Sequence, residues 1–189
     1  MPRRAHLTRT LGVLAGPATS LLDVGAGDGA LGVELAREIG ATTVHGADIL
    51  AQPGSKIPVS IFAGDTLPFE DASFDLVLLA DVLHHADAPA RLLREAARVA
   101  RRCVLVKDHF AFGEASRRLL HALDVAANRR YGIAVSGNYL TPASWVALCE
   151  EGGVRVEALH WPLRVHPAPI RALVPSSLHF AARLGKAAP

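Results

Sequence analysis

The sequence predicts an α/β protein built on a largely parallel, doubly wound sheet, and three observations carry the prediction. Between residues 20 and 109, short apolar runs alternate with segments of helical periodicity, the pattern of strand–helix–strand units. "SLLDVG" is a short continuous apolar run before glycine and "FDLVLLAD" is the most apolar of the runs, which marks strands covered on both faces. Four of them end in an acid, Asp23, Asp48, Asp65 and Asp81, and in such a sheet ligands bind beyond the carboxyl ends of the strands. An aspartate that caps the next helix explains one or two of these acids and poorly explains all four.

Each element can be justified in order. Residues 5–15 form a short amphipathic helix, with Leu7, Leu11 and Leu14 at helical spacing. "SLLDVG" is the first strand. The helix after it carries Leu31, Leu35 and Ile39 and stops at Gly40. "TTVHGADI" is the second strand, "PVSIFAGD" the third, ending at Asp65, and "FDLVLLAD" the fourth. "APARLLREAARVA" is a helix with Leu92, Ala96 and Val99 on one side, and "RCVLVKDH" is the fifth strand. Beyond Asp108 the alternation breaks. Residues 113–132 read as a long helix and "IAVSGNYLT" as an irregular loop. "TPASWVALCEEGG" has a Thr cap, Pro at the first helical position and a Gly-Gly stop. "VRVEALHW" and "SLHFAARL" close the chain as a strand pair at one edge, separated by a stretch holding Pro162, Pro167, Pro169 and Pro175.

The bulk properties exclude several classes. The 189 residues suit one domain with a full core, and half of them are hydrophobic with a fifth charged, a globular composition. A net charge of +2 is too small for a nucleic-acid footprint. Arg98, Arg101 and Arg102, with Arg117, Arg118, Arg129 and Arg130, read as solvated helix faces. Cys103 and Cys149 lack any paired spacing and read as buried free thiols, which points to the cytoplasm. The basic start before residue 16 has too short an apolar core for a signal peptide, and no run reaches the roughly 18 apolar residues of a membrane span.

"LLDVGAGDGALG", residues 21–32, turns a strand into a helix through Gly25, Gly27 and Gly29. Such a turn brings backbone close to a ligand, and the helix start offers it unpaired N–H groups. Two parsings stand at this point. Gly25, Gly27 and Ala30 with Asp48 fit a dinucleotide turn and its ribose acid. Asp23, Gly25, Gly27 and Gly29 fit D-x-G-x-G-x-G. For a pyrophosphate, Asp23 and Asp28 beside the turn would be a liability.

The third strand and its sequel add the deciding pattern. In "AGDTLPFEDASFDLVLLADVLHH" an Asp follows the strand, then come a polar residue, Leu-Pro-Phe, a short acidic turn, and Phe-Asp opening strand four. Taken with the glycine turn and Asp48, this resembles the class I S-adenosylmethionine-dependent methyltransferases, in particular the methyltransferase type 11 group, over about residues 20–110. In outline the resemblance runs to the end of the chain, where "SLHFAARLGK" is similar to the group's last strand. It implies a Rossmann-like sheet of order 3-2-1-4-5-7-6 with strand 7 antiparallel, one methyltransferase domain over 1–189, and S-adenosyl-L-methionine as cofactor.

The resemblance also implies roles. Gly25, Ala26 and Gly27 would pass against the amino-acid part of the cofactor, with Asp23 near its ammonium. Asp48 would accept from the ribose hydroxyls, with Ile49 against the adenine. Asp65 would accept from the adenine amine, with Thr66 beside it. Asp81 and Val82 would lie near the methionine portion and the acceptor. A cofactor with an ammonium, a sulfonium and no phosphate suits acids at these positions.

The acceptor side rests on fewer residues. His84 and His85 follow strand four, and Asp108 and His109 follow strand five. A histidine there can take a proton from a nucleophile, so His85, Asp108 and His109 are the catalytic candidates. The histidines of "VLHH" also suit packing or capping in a strand-to-helix turn, and for His84, otherwise a substrate contact, packing is favoured. Asn138 and Tyr139 either line the pocket or anchor a loop. A metal centre is not expected, because His84, His85, Asp108 and His109 have no fixed ligand spacing. Residues 110–141 are expected to roof the acceptor pocket as a lid.

These readings predict methyl transfer to a small-molecule acceptor, with no nucleic-acid partner and no membrane span. A nicotinamide-dependent oxidoreductase would leave Asp65 and "LPFEDASFD" without a role. A non-catalytic relative of the fold would show damaged cofactor motifs, and none is damaged here.

Overall fold

The computed structural model describes residues 3–50, 52–129, 136–166, 170 and 172–187. The chain runs α1 (Arg3–Ala15), β1 (Ser20–Val24), α2 (Ala30–Ile39), β2 (Thr43–Asp48), β3 (Val59–Ile61), β4 (Phe74–Ala80), α3 (Pro89–Val99), β5 (Ala100–His109), α4 (Glu114–Asn128), α5 (Pro142–Glu151), β6 (Val154–His160) and β7 (His179–Lys186). A single 3-10 turn, Leu83–His85, joins β4 to α3. The described strands form one sheet of order β3-β2-β1-β4-β5-β7-β6, in which β7 runs antiparallel to both neighbours. This is the doubly wound, Rossmann-like arrangement with the reversed strand inserted beside β5.

Helices cover both faces of the sheet. Successive side chains of a strand point to opposite faces, so Leu76 and Leu78 of β4 join Leu11 of α1 and Leu35 and Ile39 of α2. Val77 and Leu79 join Leu92, Leu93 and Ala96 of α3 and Trp145 and Leu148 of α5. Each of these large side chains contributes about 1.5–3 kcal/mol by leaving water. The helix ends follow their sequence signals. Thr141 accepts from Ser144 N–H while the Ser144 hydroxyl accepts from Thr141 N–H, a reciprocal cap before Pro142.

Asp75 anchors the amino end of the sheet. Its Oδ2 accepts from Thr19 N–H at 2.9 Å and the Thr19 hydroxyl at 2.6 Å, and Arg101 donates to Oδ1 at 2.6 Å. These bonds, the Thr19 hydroxyl foremost, hold the carboxyl down at about 2 despite partial burial.

Two expectations change. Arg101 and Arg102 belong to β5, because the strand begins at Ala100, so they are strand residues that pair with Asp75 and donate to the Pro17 carbonyl, respectively. The third strand is only Val59–Ile61, and Asp65 stands in the loop beyond it. The long helix after β5 is described as Glu114–Asn128. Residues 130–135 of the expected lid, Arg130 with them, and Pro167 and Pro169 lie outside the described residues. Cys103 and Cys149 are buried and unbridged. No described helix is long and apolar enough to cross a membrane.

Candidate functional site

The carboxyl ends of β1, β2, β4 and β5 converge where the chain changes winding direction. Gly25 opens the turn after β1 with φ +72, in the left-handed region. A Cβ there would stand 2.5 Å from Val82 Cγ2, so the turn after β1 and the end of β4 approach through glycine alone. Gly32, in the first turn of α2, serves a similar close contact. A Cβ on it would lie 2.8 Å from Asp23 Oδ2.

Asp23 is buried, and its Oδ2 has no hydrogen-bond partner. Burial is the main cause that pushes its carboxyl up to about 7; the Gly32 N–H opposes this, and Asp48 and Asp28 add to it. Asp48 closes β2 and braces the turn, since Oδ2 accepts from Gly27 N–H at 2.8 Å and Oδ1 from Leu50 N–H at 3.2 Å. Ala26 is buried beneath the turn, and Ile49 next to Asp48 is 52% exposed. Asp28 caps the start of α2 through Ala30 N–H at 3.0 Å.

Asp65 and Thr66 face α3. Arg91 reaches Asp65 Oδ2 at 3.1 Å and the Thr66 hydroxyl at 3.2 Å. Asp81, directly after β4, takes φ 59, a left-handed conformation that costs a residue with a Cβ of order 1–3 kcal/mol. It is held there by its N–H to the Lys107 carbonyl at 2.8 Å and by an ion pair with the buried Lys107 ammonium. Burial opposes the charge on Asp81, yet Lys107 and then His109 hold its carboxyl at about 2.

Behind this rim lies a buried histidine–carboxylate cluster. His84 Nδ1 is 2.6 Å from Asp108 Oδ1, and neither side chain reaches solvent. Asp108 also accepts from Leu83 N–H at 3.1 Å and His109 N–H at 2.8 Å. His84 Nε2 stands 3.3 Å from Asp124 Oδ2 of α4. Burial works against charge on His84, but Asp108 and then Asp124 push it up to about 10. Burial and the neighbouring His84 push His85 down. His109 Nδ1 is 3.4 Å from Asp81 Oδ1 and 3.5 Å from Asp108 Oδ1. Its ring meets His179 of β7 at 4.8 Å between centroids, its partner in the antiparallel register.

The structure separates the acceptor-side candidates by exposure. His84 is sealed among Asp108, Asp124, His85, His109 and Tyr139, and His109 is buried as well. Tyr139, expected to line a pocket, is buried. Its ring stacks on His84 at 5.4 Å and its hydroxyl donates to Asp124. Burial and Asp124 raise its phenol further. Asn138 is exposed, and His85 is half-buried. Asp108 bonds protein groups with both oxygens, Leu83 N–H through one and His84 through the other.

Asp124, His179 and Arg91 join the site without having been singled out in the sequence, whereas Lys107 stands out there as part of "KDH", three ionisable residues ending a buried strand. Asp124 left one signal there: it falls one turn after Leu120, on the buried face of an amphipathic helix.

Residues 22–104 match the family model described as methyltransferase domain. A search of curated protein sequences finds no match. Among solved structures, the chain is similar to the methyltransferase in complex with the Trm112 methyltransferase activator from Haloferax volcanii, at 15% identity and TM-score 0.66, covering 97% of this chain and 91% of that one. A SAM-dependent methyltransferase from Methanosarcina mazei matches at 16% identity and TM-score 0.66, over 95% of this chain and 98% of that one. The Burkholderia thailandensis 1,6-didemethyltoxoflavin-N1-methyltransferase, solved with 1,6-didemethyltoxoflavin and S-adenosylhomocysteine, matches at 18% identity and TM-score 0.63, over 98% of this chain and 79% of that one. At these identities the likeness is one of fold.

Proposed function

We propose that the chain, whose residues 22–104 match the methyltransferase domain model, is an S-adenosylmethionine-dependent methyltransferase that acts on a small-molecule acceptor bound between the β4–β5 rim and residues 110–129 and 136–141. The observation that carries the cofactor side is the unpartnered, buried Oδ2 of Asp23 behind the glycine turn. A buried carboxylate without a partner fits a cationic ammonium and repels a pyrophosphate.

The bound cofactor supplies an electrophilic sulfonium methyl. The chain's residues bind and orient it. Asp23 pairs with the ammonium, and Gly25, Ala26 and Gly27 let the turn lie against the amino-acid portion. Asp48 spends two of a carboxylate's roughly four acceptor positions on Gly27 and Leu50 N–H. The remaining positions suit the two ribose hydroxyls. The exposed Ile49 covers the adenine, and Asp65 with Thr66, steadied by Arg91, receives the adenine amine. Asp81 and Val82 border the reacting end.

On the acceptor side, His109 receives the nucleophile's proton. The Asp81 and Asp108 carboxylates stand 3.4 and 3.5 Å from its Nδ1 and orient the ring. Asp108 and His84 hold that arrangement, while His85 and Asn138 border the acceptor. A bound small molecule in one structural relative, 1,6-didemethyltoxoflavin, supports an acceptor of modest size. The buried free thiols Cys103 and Cys149 support work in the reducing cytoplasm.

Isothermal titration with S-adenosylhomocysteine and with NAD tests the reading. Saturable binding of S-adenosylhomocysteine without binding of NAD supports it, and the reverse result removes it.

A further inference from the structure

We propose that His84, His85 and Asp124 bind a divalent transition-metal cation on the acceptor side, and that an oxygen donor of the acceptor completes its coordination. The three residues each bring a ligand atom within 4.8 Å of the other two. The sequence gives no such spacing, because Asp124 comes from α4 and the two histidines from the turn after β4.

The separation of His84 Nε2 from Asp124 Oδ2 fits a shared ligand. At 3.3 Å the two atoms are in reach of one another, and Nε2 is buried without a well-aligned hydrogen bond. That distance is what two ligand atoms adopt around one ion with bonds of about 2.0–2.2 Å. By contrast, His84 Nδ1 and Asp108 Oδ1, 2.6 Å apart, are closer than two ligands of one ion and form a hydrogen bond. Asp108 is therefore the outer carboxylate that fixes the His84 ring and aims Nε2 outward, an arrangement common behind metal-binding histidines.

The other two ligands are supported in the same way. The Tyr139 hydroxyl donates to Asp124, and its ring stacks on His84. His85 Nδ1 is also buried without a partner, and the half-buried ring is the side of the cluster nearest solvent. Two imidazoles and one carboxylate select zinc, manganese, iron, cobalt or nickel over magnesium and calcium, and three protein ligands leave positions open. A hydroxyl bound there is acidified, and its proton passes to His109 as the methyl is transferred. This role rests on the methyl-acceptor reading above; the cation site itself does not.

The full chain, stripped with a chelator and titrated with Co2+, tests the proposal through the ion's visible ligand-field bands and the heat of binding. One equivalent is expected to bind with new bands. Affinity should weaken at least tenfold in His85→Ala and in Asp124→Asn, while S-adenosylhomocysteine binding stays within about twofold of wild type in both. Absence of bands, or binding of Co2+ to both variants as tightly as to wild type, overturns the proposal. His85→Ala alters a half-exposed ring and keeps the test valid should Asp124→Asn fail to fold. S-adenosylhomocysteine binding by itself reports the cofactor reading, so the two failures are distinguishable.

Discussion

His84 and Asp108 form a sealed ion pair, Nδ1 to Oδ1 at 2.6 Å, at the point where β4 and β5 end side by side. The pair ties the turn that carries His85 to the strand end that carries His109. Removing one partner leaves a buried charge or donor unmatched, which costs about 3–5 kcal/mol. Asp108→Asn is expected to lower stability by that order. His84 is pushed up to about 10 in the folded chain against an ordinary 6.5. Its contribution is therefore complete below about 6.5 and is lost as pH rises through 10. Urea melts from pH 6 to 10.5 should show wild type losing more stability across that range than Asp108→Asn. Parallel curves would place the pair's contribution elsewhere.

Asp23 sets a pH dependence on cofactor binding. Its free carboxyl sits up at about 7, chiefly through burial, and an ammonium partner favours the ionised form. Affinity for S-adenosylhomocysteine should accordingly rise with pH toward 7 and level off above it. Titrations between pH 5.5 and 8 should show this slope in wild type and a flatter one in Asp23→Asn. Equal slopes would mean that Asp23 does not meet the ammonium.

Asp48 braces the glycine turn and is assigned to the ribose. Asp48→Ala removes a charged acceptor worth about 1.5–3 kcal/mol per bond and also frees the Gly27 N–H. S-adenosylhomocysteine binding is expected to weaken by a few kcal/mol in a protein that still melts cooperatively. Unchanged binding with an early melt would make Asp48 a structural brace alone.

The sheet was legible because its causes are local. β4 is apolar at every position but Asp75 since helices cover both faces, and Thr141, Pro142 and Gly152–Gly153 announce α5 by chemistry within a few residues. The reach of β3 was not legible. Asp65 follows an apolar run, but pairing with β2 stops at Ile61, and only neighbouring backbone decides where a ladder ends. Arg101 and Arg102 misled for the same reason, because β5 begins earlier than its apolar stretch. On the rim, Asp23, Asp48 and Asp81 were readable as strand-end acids. The partners that define the acceptor side were not. His84, Asp108, Asp124 and Tyr139 come from four separate segments, and His179 meets His109 only through the antiparallel register of β7. Such groups are joined by tertiary contact, to which periodicity is blind.

The central claim is methyl transfer to a small molecule. Incubating the protein with S-adenosylmethionine labelled with tritium in the methyl group, together with a cell extract separated into low-mass and macromolecular fractions, tests it most directly. The account predicts label in the low-mass acceptor fraction, dependent on the protein and lost in Asp48→Ala. Label confined to protein or nucleic acid, or no transfer beyond the rate without protein, would contradict it.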